Sequence, residues 1–225
     1  MQNKILILIG LYFIFTPVKA LSNEATTSIN YYKTTCKNDN NICITTVITK
    51  KEYDEATQIV TQSTGVETEY KKMYLTNIGN IIKLDVEWKK TPKFKSYDVI
   101  ALYSEDVIFE SSTIIGSQQY FLNNNLSIIK YNRASDNLKL FSNGIGISMN
   151  LVDNGTGHHL SLLSSYHKKI ESANIYGSYR HSQSNISLNK SQKYELSLDD
   201  TKDIIKFDRT VVSYYDNMTA VNIKV

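Results

Sequence analysis

Between Ile82 and Trp88 the chain alternates without a break. Ile82, Leu84, Val86 and Trp88 are apolar, and Lys83, Asp85 and Glu87 between them are charged. A strand turns successive side chains to opposite faces, so this period of two predicts one buried and one wet face. Pro92 follows and has no N–H to give a central ladder, so strand pairing must stop within residues 90–95. Tyr97 to Tyr103 resumes as a strand, and its unbroken run Val99-Ile100-Ala101-Leu102 predicts burial on both faces. Asp98 at the start of that run reads as a turn-capping carboxylate that accepts backbone N–H groups, in preference to a catalytic acid.

The same patterns recur on both sides of this stretch. Tyr31 to Thr35 and Ile42 to Thr49 are rich in β-branched and aromatic residues and predict a hairpin. Lys50 to Gln58 predicts a short helix with a weak apolar stripe, and Val66 to Leu75 a strand. Downstream, strands are predicted over 106–110, 111–122, 126–131, 144–152, 159–166, 174–181, 184–189, 202–212 and 218–225. In Gly144 to Val152, Ile145, Ile147, Met149 and Leu151 alternate with small or polar residues. Its glycines predict a bulge or the close approach of other backbone. Asp153-Asn154-Gly155 is a turn. About twelve strands at such spacing predict an all-β fold, a single antiparallel β-sandwich of jelly-roll type with little helix.

The first twenty residues stand apart. Met1 to Lys4 carries one charge, Ile5 to Phe15 is apolar apart from Gly10 and the hydroxyl of Tyr12, and Val18 and Ala20 precede a cleavage position. This is the pattern of a signal peptide over residues 1–20, with one β-sandwich domain over 21–225. An uncleaved anchor is the alternative, but the apolar run is shorter than the roughly 18–20 residues a spanning helix needs. Secretion to the extracellular space is the expected localisation. Cys36 and Cys43 lie in the exported part. In an oxidising compartment they are expected to form a disulfide at the hairpin tip, the alternative being free or differently paired thiols.

Charge narrows the partners. Of 25 basic residues the leader holds Lys4 and Lys19, which leaves 23 against 22 acidic residues. That near-neutral balance argues against nucleic acid. The catalytic and metal-site motifs expected of common enzymes are missing, and Ser165-Tyr166-His167-Lys168 matches SxxK without its companion motifs. The four histidines, His158, His159, His167 and His181, lack ligand spacing, and His158 and His159 should face opposite sides of a strand. No metal, cofactor or catalytic residue is therefore assigned. Asp85 and Glu87 share one strand face and could serve glycoside hydrolysis, but a solvated face with Lys83 and Lys89 is the plainer reading. Sixteen tyrosines are either ordinary strand formers or a sugar-stacking face. Asn125, Asn154, Asn185 and Asn217 head N-x-S/T sequons, which matter only in a eukaryotic secretory route.

WKKTPKFKSYDVIAL, followed by GIGISMNLVDN and IYGSYRHSQSNISL, resembles a pattern in small secreted β-rich proteins of Gram-positive bacteria that carry no assigned activity. The resemblance covers residues 81–188 and implies export and a β-rich domain, with no catalytic residue to carry over. The leading expectation is a secreted, non-enzymatic β-sandwich that binds a cell-surface glycan or protein. The alternatives are a toxin that inserts strands such as 42–49 and 111–118 into a membrane, and a glycosidase using Asp85 or Glu87. A membrane partner follows only from the pore-forming reading.

Overall fold

A computed structural model describes residues 61–225 apart from 201, 217 and 219. Of the preceding chain it describes only the backbone of three strands, β1 (Ile7–Leu8), β2 (Tyr31–Lys37) and β3 (Ile42–Ile48). Two compact units divide the chain, residues 1–59 and 60–225. In the first, β2 and β3 form an antiparallel hairpin whose register sets Cys36 opposite Cys43, and β1 pairs with β2. Apart from Ile7–Leu8, the leader predicted over 1–20 lies outside the described residues, as does the helix predicted over 50–58.

The second unit is an antiparallel β-sandwich, as the alternation predicts. Its larger sheet contains β4 (Thr61–Glu67), β5 (Lys71–Ile78), β6 (Ile81–Trp88), β8 (Val107–Phe109), β9 (Ile115–Leu122), β10 (Asn125–Tyr131) and the long β13 (Thr156–Lys168). The strand order is β10-β9-β13-β6-β5-β4, with β8 paired to the end of β13. The facing sheet has β7 (Tyr97–Tyr103), β11 (Leu138–Phe141), β12 (Gly144–Asn150), β14 (Asn174–Arg180) and β17 (Val221–Lys224). Its order is β11-β12-β7-β14-β17. Between the sheets, Leu75, Ile82, Leu84, Val86 and Leu162 from one side meet Ile100, Leu102, Ile147, Met149 and Ile175 from the other. Burying such side chains contributes about 1.5–3 kcal/mol each.

The outer face of the five-stranded sheet is not left to water. Residues 182–216 fold back over it with a one-turn helix, α1 (Leu188–Ser191), and a small hairpin of β15 (Tyr194–Leu196) and β16 (Ile205–Phe207). Their Ile186, Tyr194, Ile204, Val211 and Tyr215 cover Val99, Ala101 and Tyr103. Strand β7 is thus buried on both faces, which is what its unbroken apolar run requires. The glycines of β12 also act as expected. A Cβ on Gly146 would lie 2.1 Å from the Tyr194 hydroxyl oxygen, and one on Gly144 2.5 Å from the Leu102 carbonyl oxygen. Only glycine lets the covering layer seat this closely.

Several boundaries differ from the pattern. Residues 111–113 form a 3₁₀ turn instead of the start of β9, closed by Thr113 Oγ1–H donating to the Glu110 carbonyl at 2.8 Å. The strand predicted over 184–189 is instead loop running into α1, because the Ser187 hydroxyl caps the Lys190 N–H. The strand predicted over 202–212 shrinks to β16. Asp85 is not on a solvated face. It is 2% exposed and held by Lys83 Nζ and His159 Nε2, each at 2.8 Å. Glu87, two residues on, is exposed. Of the tyrosines described, Tyr103, Tyr131, Tyr166, Tyr179, Tyr194 and Tyr215 are buried, and Tyr70 and Tyr214 are exposed. Half of the described tyrosines are therefore core residues.

Trp88 carries the inner face of β6 to its end. It is 8% exposed, and its indole Nε1–H donates to the Tyr179 hydroxyl oxygen at 2.9 Å. Trp88→Ala is expected to cost about 3–5 kcal/mol in urea unfolding, through lost burial and a residual cavity. An unchanged midpoint would refute that placement.

Candidate functional site

Four strand ends meet at one end of the sandwich, and each places a polar or aromatic side chain on its core-facing parity. Lys71 opens β5, directly opposite Trp88 at the end of β6. Asp98 lies at the start of β7, and His181 follows the end of β14, where Arg180 pairs with Val99. The adjacent inward positions on these strands are Met73, Val86, Ile100 and Tyr179, so the alternation that builds the core carries these groups into its margin.

Asp98 is the hub. It is fully buried, and three donors converge on it. The Tyr179 O–H donates to Oδ2, the Ser182 N–H to Oδ1 at 2.8 Å, and His181 Nδ1 lies 3.0 Å from Oδ1. Charge-assisted bonds of this kind make a buried carboxylate tolerable. The capping reading of Asp98 is therefore right for Ser182, and it misses the two side-chain partners. Through Tyr179 the network reaches Trp88 in the other sheet, so one hydrogen-bonded chain spans the sandwich. Burial beside Asp98 pushes the Tyr179 hydroxyl well above its ordinary range, which keeps it a donor.

The second part of the cluster is cationic. Lys71 is 5% exposed, its Nζ hydrogen-bonded to Asp216 Oδ2, and lies 5.0 Å from the Tyr179 ring centroid and 5.2 Å from that of Trp88. Asp216 is fixed from the other side, since Oδ1 accepts the His181 N–H at 2.8 Å and its carbonyl accepts from Arg180 at 2.8 Å. The His181 ring meets Trp88 edge-on at 4.6 Å between centroids.

A cleft of about 510 Å³ opens over this cluster. Its floor is Lys71, Trp88, His181 and Asp216. Its walls are Thr68 and Tyr70 from the β4–β5 turn, Thr91, Pro92 and Lys93 from the loop after β6, and Val66 and Met218. The turn is shaped by the Thr68 hydroxyl, which accepts the Lys71 N–H at 3.1 Å. With Nδ1 committed to Asp98, the other ring nitrogen of His181 is the one left for the cleft. It has no hydrogen-bond partner among the described residues, and an imidazole so backed can accept a proton from a hydroxyl or donate one to an oxygen. Among the described residues, no hydroxyl of the cleft walls is hydrogen-bonded to it.

The remaining sequence candidates lie elsewhere. Asp85 and Glu87 are outside the cleft lining. His159 serves Asp85, and His167 is exposed beside Glu110. His158 and His159 do face opposite sides of β13, with His158 inside, stacked on Tyr120 at 5.9 Å, its Nε2 3.2 Å from the Gly155 carbonyl oxygen. No cluster of three potential metal-ligating side chains occurs among the described residues. No described helix is long and apolar enough to cross a membrane.

No family model and no curated protein matches this chain. Two solved structures to which it is similar are the collagen-binding domain from a Staphylococcus aureus adhesin and a chain from the "complete structure of manganese lipoxygenase of Gaeumannomyces graminis and partial structure of zonadhesin of Komagataella pastoris". The first is 9% identical with a TM-score of 0.34, over 73% of this chain and 95% of that one. The second is 10% identical with a TM-score of 0.32, over 66% of this chain and 64% of that one, so the match spans just under two thirds of its length. At such scores the likeness carries no argument about function.

Burial holds the His158 imidazole below its ordinary value of 6.5. The unfolded chain therefore takes up this proton first, and stability falls as pH drops through that value, with no contribution above it. Thermal melts from about pH 7.5 to 5.5 are expected to show a steeper loss in the wild type than in His158→Gln. Parallel curves would refute it.

Proposed function

We propose that this protein is a secreted, non-enzymatic binding module that takes a cell-surface glycan in the cleft over Trp88. The cleft itself is the observation that carries this reading. Its volume of about 510 Å³ lies in the range of small-ligand sites. Tyr70, 55% exposed at its rim, offers a flat ring for a sugar face, and His181, Asp216 and Thr91 offer polar groups near it. Export rests on the leader pattern and on the resemblance to secreted proteins of Gram-positive bacteria. The floor of the cleft is rigid because each of its side chains is held by a partner, so ligand binding orders little beyond the ligand itself.

Trp88 is the only tryptophan in the chain and lines the cleft, so its fluorescence reports occupancy directly. Glycans selected on an array should change that emission on titration, and Tyr70→Ala should weaken binding by roughly tenfold or more, the loss of one stacking contact. A folded protein that binds no glycan on the array would refute the reading.

The hairpin of the first unit belongs to the same proposal. Directly opposed residues of an antiparallel pair have Cα atoms about 4.5–5.5 Å apart, within the span of a disulfide. The register therefore supports a Cys36–Cys43 bond in the exported protein. Peptide mapping without reduction should recover the two cysteines joined. Recovery of both as alkylated thiols would refute the bond.

A further inference from the structure

We propose that Lys71 and Asp216 become joined by an intramolecular amide bond, formed by the folded protein without another enzyme. This inference concerns two residues of the cleft floor and does not require the glycan reading, since the bond can form whether or not the cleft takes a glycan.

Lys71 is out of place by every rule that governs lysine. It occupies the inward parity of β5, followed inward by Met73 and Leu75, and it is buried. An ammonium has three donors, and among the described residues the acceptor for Nζ is Asp216. Nζ also lies over the faces of Trp88 and Tyr179, on the floor of the cleft. Other lysine pairs of the same strand end, Lys89–Glu67 and Lys90–Glu69, are exposed and solvated. Lys71 is the buried member of its own pair, its side chain 7% exposed against 20% for Asp216. In the reaction the Nζ proton passes to the carboxylate it touches, which sets an amine against a carboxylic acid. Those are the two reactants of amide formation, held in contact with little freedom to separate.

The carboxyl group is also prepared for attack. Oδ1 accepts the His181 N–H at 2.8 Å, so a fixed backbone donor faces the oxygen on which negative charge develops. His181 is itself anchored through Nδ1 to Asp98 and by the adjacent Ser182 N–H, which holds that donor in place. In the reaction the Nζ lone pair forms a bond to Cγ of Asp216. The bond from Cγ to Oδ2 breaks, and Oδ2 leaves as water with its acid proton and one proton from the amine. The second amine proton stays on the amide nitrogen. Nothing is oxidised or reduced, and no co-reactant is consumed.

The product would tie the start of β5 in one sheet to the segment before β17 in the other, across 145 residues of sequence. The tie closes the end of the sandwich where the cleft opens.

Intact mass of the purified full chain, measured under denaturing conditions, decides the matter. With the cysteines reduced, the expected mass is lower by one water molecule than that calculated for the purified chain from its determined N-terminus. A tryptic digest should give one branched peptide containing Lys71 and Asp216, with no cleavage after Lys71. Lys71→Arg keeps the positive charge but cannot form the bond, and should show the full sequence mass. A wild-type protein at full mass, or a water loss that maps to any other residue, overturns the proposal. The wild-type digest decides it even if the variant does not fold.

Discussion

The carboxylate of Asp98 sets the terms for one whole end of the molecule. A carboxylate with no exposed surface must be met by donors, and its three donors come from Tyr179, His181 and Ser182. Meeting that demand fixes how β14 leaves the sheet. It holds the Tyr179 hydroxyl where Trp88 can donate to it, and thereby couples the two sheets through a polar contact at the edge of an apolar core. Removing one partner of such a network leaves an uncompensated buried group, at a cost of several kcal/mol. Ser96, just before β7, repeats the device with the covering layer. Its hydroxyl donates to the Ile186 carbonyl at 3.0 Å and accepts the Ile186 N–H at 2.9 Å, pinning the covering layer.

Strand β7 is the element on which both layers depend. Its Ile100 and Leu102 belong to the core between the sheets, and Val99, Ala101 and Tyr103 to the core beneath residues 182–216. The covering segment has little regular structure of its own. It is kept in place by Tyr194 seated over Gly146, by the Tyr215 O–H donating to the Tyr97 carbonyl at 3.0 Å, and by Arg180 reaching Asp203. Because His181 and Asp216 stand at the two ends of this segment, its docking also shapes the cleft.

The cleft combines a rigid floor with a rim of loop residues. Floor groups are mutually satisfied: Lys71 with Asp216, His181 with Asp98, Trp88 with Tyr179. Rim groups such as Tyr70, Thr91 and Lys93 stand on turns whose side chains can adjust to a ligand. This division suits recognition, in which a preorganised base limits the entropy lost and exposed rings supply contact.

Much of the architecture was legible in the order of residues. Alternation in β6 and β12, the apolar run of β7 and the glycines of β12 report directly on which faces are buried, because a strand has only two faces and burial is local in its demand. The opposite facing of His158 and His159 follows for the same reason. The site was only half legible. Lys71, Trp88, Asp98 and His181 each sit on the inward parity at a strand end, a signal present in the sequence and readable once strand boundaries are known. Their convergence is another matter, since residues separated by up to 145 positions meet only through strand order and register. The burial of Asp85 escaped the alternation rule because His159 arrives from β13, a neighbour that sequence does not name. Residues 184–212 misled for a related reason: their β-branched and aromatic content serves docking onto a sheet, not pairing within one. The chain by itself determined the β-class and the faces of its strands, which depend on local periodicity. Tertiary structure alone decided that Asp98, His181, Trp88, Lys71 and Asp216 share one site, because that depends on which strands pair.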